Sequence, residues 1–202
     1  YNYKELKKKL GSIKLRTNSD TEVLLEGYLN FGIDFIKLLR GIYSFAIFDN
    51  RSEQNVVLGR DPSGIKPLYL YDKNGLKIFG SEIKAIVPSV KNELTVNENI
   101  LKTFLNLGYC LEPYSIYNEI NCVNPGHVVV IKEDRTFVHD LTSFNFESSN
   151  KYSYRENTEL SEEKLKTAVE RNLIADVEVA VALSGGIDSS LIYAFANKIN
   201  SR

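Results

Sequence analysis

Methionine is absent from the whole 202-residue chain, which opens on Tyr1; together these suggest an internal piece of a longer protein. Cysteine occurs only at positions 110 and 122, with no histidine spaced near either. That excludes a zinc set and a disulfide framework, and Cys110 and Cys122 read as ordinary thiols of a cytoplasmic protein. Histidine is as scarce. His127 and His139 each sit at an expected strand end with no carboxylate partner in a recognisable motif, so both read as structural rather than as general bases. Neither sign of charge dominates: the net charge is −1, which leaves no nucleic-acid surface to expect. The lysines at the start (Lys4, Lys7, Lys8, Lys9, Lys14) read as a solvated helix face. No apolar run reaches membrane-spanning length, and the lysine-rich opening is no signal peptide, so no membrane partner is expected.

What remains is a composition of 43% hydrophobic and 25% charged residues, enough for one domain or parts of two. Periodicity and capping residues predict helices over Tyr3 to Leu10, from Ser19 or Asp20 to Phe31, over Asp34 to Leu39, from Ser81 to Pro88, over Glu98 to Leu107 and over Glu159 to Leu173. Ile13 to Arg16 reads as a brief strand. Ile42 to Phe48 with Val56 to Gly59, and Leu68 to Tyr71 with Lys77 to Phe79, read as hairpins. The first of these strands is apolar almost throughout, which suggests layers on both of its faces. Arg60-Asp61-Pro62-Ser63-Gly64 is a turn signal, and Asn124-Pro125-Gly126 turns into a pair of strands over 128–132 and 136–139. The polar, serine-rich stretch 147–158 is a candidate linker between a first domain, 1–146, and a second, 159–202.

Two motifs carry chemistry. In Ser19-Asp20-Thr21-Glu22, either Ser19 or Asp20 suits an N-cap, so on local grounds Asp20 is as much a cap as a ligand. The stronger motif is DVEVAVALSGGIDSS, 176–190. Val177, Val179, Val181 and Leu183 read as a strand buried on both faces; Ser184, Gly185 and Gly186 form a turn, and Asp188 and Ser189 open a helix. Glycines let a ligand approach the backbone, and the unpaired N–H groups of a new helix suit an anion. The local alternative is a turn whose glycines merely pack and whose Asp188 and Ser189 merely cap.

This string resembles the SGGxDS pyrophosphate loop of the ATP-pyrophosphatase enzymes, which cleave ATP between its α and β phosphates. It is not the GxxxxGK[ST] loop, since no lysine follows the glycines. The resemblance implies that Ser184, Gly185, Gly186 and Ser189 contact pyrophosphate, that Leu183 lies beside the adenosine and that Asp188 serves Mg²⁺.

The ordered series across the chain resembles the glutamine-hydrolysing asparagine synthetases. Tyr1-Asn2 matches the end of the family's NGEIYN, and SDTE at 19–22 its SDxE. LRGIYSFAIFD at 39–49, GRDPSGIKPLY at 59–69, GSEIKAI at 80–86, NPGH at 124–127 and LSGGIDSS at 183–190 follow in the family's order. The resemblance implies an incomplete α+β four-layer αββα sandwich of the N-terminal-nucleophile hydrolase type, followed by the start of an α/β parallel-sheet synthetase domain. It implies that Asp20 holds the α-amino group of glutamine. It further implies that ATP and Mg²⁺ activate aspartate as β-aspartyl-AMP for attack by glutamine-derived ammonia, and that a homodimer can form. The nucleophilic cysteine, the arginine that grips the glutamine carboxylate and the oxyanion pair lie before Tyr1 in that family. This piece alone is therefore expected to lack glutaminase activity. Glu178, Ala180 and Asn172 depart from the family's usual proline, glycine and histidine, which leaves open an acceptor other than aspartate, such as a sugar acid; a homologue without catalysis is the other alternative.

Overall fold

The structure, a computed structural model, describes residues 1–202 apart from 12, 52, 134, 143–151, 201 and 202, and without the side chain of 200. It divides into two units, Tyr1–Ser143 and Phe144–Arg202. The first half of the expected linker, 147–151, lies outside the described residues.

In the first unit the helices are α1 (Tyr3–Leu10), α2 (Asp20–Phe31), α3 (Ile33–Ile36), α4 (Ile83–Val90) and α5 (Glu98–Leu107). The strands are β1 (Ser44–Asp49), β2 (Asn55–Arg60), β3 (Tyr69–Lys73), β4 (Leu76–Gly80), β5 (Ile120–Cys122), β6 (His127–Lys132) and β7 (Arg135–Asp140). They form two antiparallel sheets, one in the order β1-β2-β6-β7 and one in the order β4-β3-β5.

Alternation along the strands stacks these sheets into layers. Val57 of β2 and Val128 and Val130 of β6 face a cluster formed with Leu6, Leu10, Val23, Leu24 and Phe35 of the first three helices. Their neighbours Leu58, Val129 and Ile131 face the other way, onto Leu68, Leu70 and Val123 beside the second sheet. From β3 and β5, Tyr71 and Ile120 point outward again, to Ile86 and Val90 of α4. Helices, sheet, sheet, helix: this is the αββα sandwich. Gly27 permits the packing of the first layer, because a Cβ there would lie 2.0 Å from the Phe35 ring.

Several local expectations give way to tertiary context. The 13–16 stretch forms no strand. Pro88 lies inside α4 rather than ending it, since burial of Ile86 and Val90 carries the helix two residues further. β1 is covered on one face, not two: the second sheet packs over β2 and β6, and Phe48 is left 63% exposed. On α5 only Ile100 is buried, while Leu101, Phe104 and Leu105, expected inward, are exposed.

The C-terminal end of β1 is locked by charge. The Asp49 carboxylate accepts from Arg51 Nε (2.9 Å) and Nη2 (2.8 Å) and from the Tyr28 hydroxyl (3.1 Å), and Arg51 Nη1 reaches Leu29 O at 3.0 Å on α2. These Arg51 hydrogen bonds hold the Asp49 carboxyl well below the usual carboxylate range. A depressed carboxyl pKa contributes stability that is complete above its unfolded value, about 3.9, and is lost as pH falls toward the folded one. Asp49→Asn is therefore expected to lower the melting temperature at neutral pH, with the gap to wild type closing below about pH 4. Melting curves from pH 7 down to 2 check this, and a gap that stays constant with pH would refute it.

The second unit holds α6 (Tyr154–Asn172) and α7 (Ile187–Asn200). The first begins before Glu159 because Ser153 and Glu156 form a reciprocal capping box. Val169, Phe195 and Ala196 form its small core, with Leu165, Leu173 and Val181 against it. The run 177–183 does not form the expected strand. A strand exists only by bonding to a neighbour, none is present beside this run among the described residues, and Val177 is 78% exposed.

Candidate functional site

The first unit has a half-open cavity of about 650 Å³ against β1, α2 and the segment 39–43. Asp20 stands on its wall, and the local chemistry explains why its carboxylate is available. Ser19, not Asp20, caps α2, its hydroxyl accepting from Thr21 N at 3.1 Å. Glu22 ties the incoming loop to the helix: its carboxylate accepts from Arg16 N (2.8 Å), Thr17 N (2.6 Å) and Thr17 Oγ1 (2.6 Å). The Thr17 bonds, more than the charge of Arg16, lower the Glu22 pKa. Asp20 is left with a single 3.4 Å contact from the Thr21 hydroxyl. Of the acidic residues in SDTE, one is used by the fold, and the other, on a residue that lines the cavity, keeps only that weak contact.

Other lining residues were not singled out by the sequence. Tyr1 donates its hydroxyl to Asp20 O, and burial, reinforced by the Asp20 charge, raises its phenol pKa well above the usual range. Burial, followed by the Asp61 charge, pushes the Tyr43 phenol up to about 12. Lys66 brings a cation to the cavity, at the end of the turn organised by Arg60 and Asp61. Its N–H donates to Asp61 Oδ2 (3.0 Å) and its carbonyl accepts from Arg60 Nε (2.8 Å).

Arg60 is 3% exposed and makes the paired contacts Nη2 to Glu112 Oε1 (2.8 Å) and Nη1 to Glu112 Oε2 (2.9 Å), with Nη1 also 3.0 Å from Cys122 Sγ. Burial raises the Cys122 thiol pKa, so this sulfur is a packed core group. His127 Nδ1 lies 2.8 Å from Pro125 O, in keeping with a structural role.

The turn before α7 is open. Gly185 has φ +81°, and an added Cβ would meet nothing within 4 Å, so the glycine serves backbone geometry with free space in front of it. Among the described residues no hydrogen bond engages the N–H groups of Gly185, Gly186, Ile187 or Asp188. The serines hold the turn: Ser184 Oγ lies 3.0 Å from Ser189 Oγ, which donates to Gly186 O at 3.2 Å. Ser190 closes on the same carbonyl from its N (3.1 Å) and its Oγ (2.8 Å). Leu183 is 55% exposed, and the Asp188 carboxylate is exposed without a protein partner among the described residues. Ser184, Gly185, Gly186, Asp188 and Ser189 are thus brought together around unused donors and one carboxylate, an arrangement suited to an anion. A second cavity, of about 430 Å³, lies along α6, α7 and the 179–182 run, with Ser189 in its lining.

No group of three or more acidic, histidine or cysteine side chains that could hold a metal occurs among the described residues. Asp188 by itself fits a Mg²⁺ that takes most of its ligands from a bound molecule's oxygens and water.

A family model described as "Glutamine amidotransferase domain" matches residues 1–142, and one described as "Asparagine synthase" matches residues 160–202. The chain is 31% identical over 195 residues to putative asparagine synthetase [glutamine-hydrolyzing] 2 of Methanocaldococcus jannaschii, covering 95% of this chain and 38% of that protein. It is 33% identical over 201 residues to asparagine synthetase [glutamine-hydrolyzing] 3 of Bacillus subtilis, covering 97% and 32%. Among solved structures, glutamine phosphoribosylpyrophosphate amidotransferase from B. subtilis superposes with a TM-score of 0.47 at 22% identity, over 98% of this chain and 42% of that one. The chain thus spans only 38% and 32% of the length of these two curated relatives.

Proposed function

Because the chain belongs to the glutamine amidotransferase domain family, we propose that its first unit binds glutamine for hydrolysis and that its second begins an ATP-dependent synthetase, the whole protein making asparagine from aspartate. In the first unit Asp20 meets the α-ammonium of glutamine, a charge-assisted contact for a carboxylate that the fold leaves unused. In the second, the Gly185, Gly186, Ile187 and Asp188 N–H groups hold the pyrophosphate end of ATP, with Ser184 and Ser189 beside them and Leu183 next to the adenosine. Asp188 holds Mg²⁺, which when bound offsets charge on the phosphates.

A carboxylate is a poor electrophile, so aspartate is converted to β-aspartyl-AMP. Ammonia then adds at the acyl carbon, AMP leaves with the electrons of the acyl–oxygen bond, and a proton is lost from nitrogen. The loop's part is to bind and orient the departing pyrophosphate, not to move a proton. The observation that carries this reading is the open turn at 184–189, where unpaired amides and one free carboxylate face unfilled space.

The test uses the full-length protein with ATP, Mg²⁺, glutamine and a panel of carboxylates. The expected products are AMP, pyrophosphate and asparagine, with aspartate the preferred acceptor. ADP would overturn the loop assignment. AMP formed only with a sugar acid would move the acceptor, and no turnover with any member of the panel would leave a homologue without catalysis.

A further inference from the structure

Asp20 is the first residue of a helix, and helix ends open at little free-energy cost. Its carboxylate has no strong protein partner of its own, only the 3.4 Å contact with Thr21. Something must nevertheless fix it relative to the rest of the cavity if it is to select a ligand by distance.

The structure supplies one connection that does this. The Tyr1 hydroxyl donates to the carbonyl of Asp20, bonding the first turn of α2 from the cavity side. Tyr1 is itself immobilised. Its ring lies 6.3 Å from that of Tyr43, edge to face at 75°, and 6.1 Å from that of Tyr3. The next residue clamps the 38–40 segment: Asn2 N donates to Arg40 O (2.9 Å), Asn2 Nδ2 to Leu38 O (3.1 Å), and Arg40 N to Asn2 Oδ1 (2.8 Å). Gly41, with φ +123°, admits the Tyr1 backbone, since a Cβ there would lie 2.9 Å from Tyr1 Cα. Asp20, Leu39, Ile42 and Tyr43 all line the cavity, and Tyr1 is where the elements that carry them meet.

We infer that Tyr1 is a positioning residue for α-ammonium recognition, holding Asp20 at a set distance from the cavity floor through the phenol-to-carbonyl hydrogen bond. The inference rests on the glutamine-binding reading of Asp20 given above. Contacts between an ammonium and a carboxylate are short and geometry-dependent, so a loosened first turn weakens binding of the ammonium more than of any other part of the ligand.

The test compares L-glutamine with its desamino analogue glutaramate as substrates of the full-length protein, in wild type, Tyr1→Phe, Asp20→Asn and the double variant. Losing one net hydrogen bond, Tyr1→Phe is expected to raise KM for glutamine by about three- to tenfold, with kcat within about twofold, and to leave KM for glutaramate unchanged. In the Asp20→Asn background it is expected to add nothing, because the group it positions is gone. A core truncation on α1, Leu6→Ala, serves as the structural control: it lowers the melting temperature and leaves the glutamine-to-glutaramate ratio where it was. The inference is overturned if Tyr1→Phe changes both substrates equally, or acts undiminished in the Asp20→Asn background. A wild type that handles glutamine and glutaramate alike overturns the Asp20 assignment as well, a pattern distinct from either of these.

Discussion

In the full-length protein, Asp188→Ala is expected to lower aspartate-dependent pyrophosphate release by about 10²–10³-fold or more while leaving glutamine hydrolysis within about twofold of wild type. Asp188 lies in the first turn of α7, exposed, in a turn whose backbone bonds are made by Ser184, Ser189 and Ser190 rather than by its carboxylate. Truncating it therefore removes a charge from in front of the open amides without removing any contact that holds the turn. The asymmetry between the two half-reactions makes the test sharp, because general unfolding would lower both together. Asp188→Asn separates ligation from packing: it keeps an oxygen but loses the charge, and is expected to fall between wild type and alanine. Pyrophosphate release unchanged in Asp188→Ala would remove this carboxylate from the reaction.

What the sequence disclosed follows a physical divide. Capping is local, so the helices Tyr3–Leu10 and Glu98–Leu107 are legible to the residue, their ends set by Gly11 and by Asn97 and Gly108. The hairpins are legible for the same reason, the turn at Asn74 and Gly75 supplying the positive φ values that a tight reversal needs. Coverage is not local. An apolar stripe on α5 and an apolar run at 177–183 state that a face wants burial, not what buries it, and both are largely exposed. The strand Ile120–Cys122 has no signature in the sequence because three residues carry no period.

The candidate site divides the same way. Capping rules suit Ser19 and Asp20 alike to the N-cap; the structure gives it to Ser19 and ties Glu22 back to Arg16 and Thr17, which leaves Asp20 as the carboxylate without a strong partner. The bond from Tyr1 to Asp20 joins residues 19 apart, and no pattern in the intervening sequence announces it.

Asp61→Ala is expected to destabilise the first unit strongly. Asp61 is fully buried, with Oδ1 accepting from Ser63 N (3.1 Å) and Ile65 N (3.0 Å), and Oδ2 from Lys66 N (3.0 Å). A carboxylate is the side chain that can take three inward-pointing donors at once, which is why an anion is tolerated in this position. Its own backbone is bound as well, to Tyr43 O and by Gly64 N and Gly126 N, so the turn cannot swing out to find water without breaking those bonds. Alanine removes the acceptor of three N–H groups on residues that are themselves exposed, so water takes up part of the loss, at about 0.5–1.5 kcal/mol each. Together a loss on the order of 2–4 kcal/mol is a large share of the whole stability of an ordinary domain. Asparagine does not rescue it, since the amide replaces one acceptor with a donor that faces Lys66 N or its neighbours. Urea unfolding followed by near-ultraviolet circular dichroism measures the loss, with Asp34→Ala, whose side chain is 79% exposed, expected to leave the midpoint unchanged. The same turn brings Lys66 to the cavity. Where Asp61→Ala protein remains folded at low temperature, glutamine binding should weaken together with stability; a midpoint within about 1 kcal/mol of wild type would mean that the three amides find other partners.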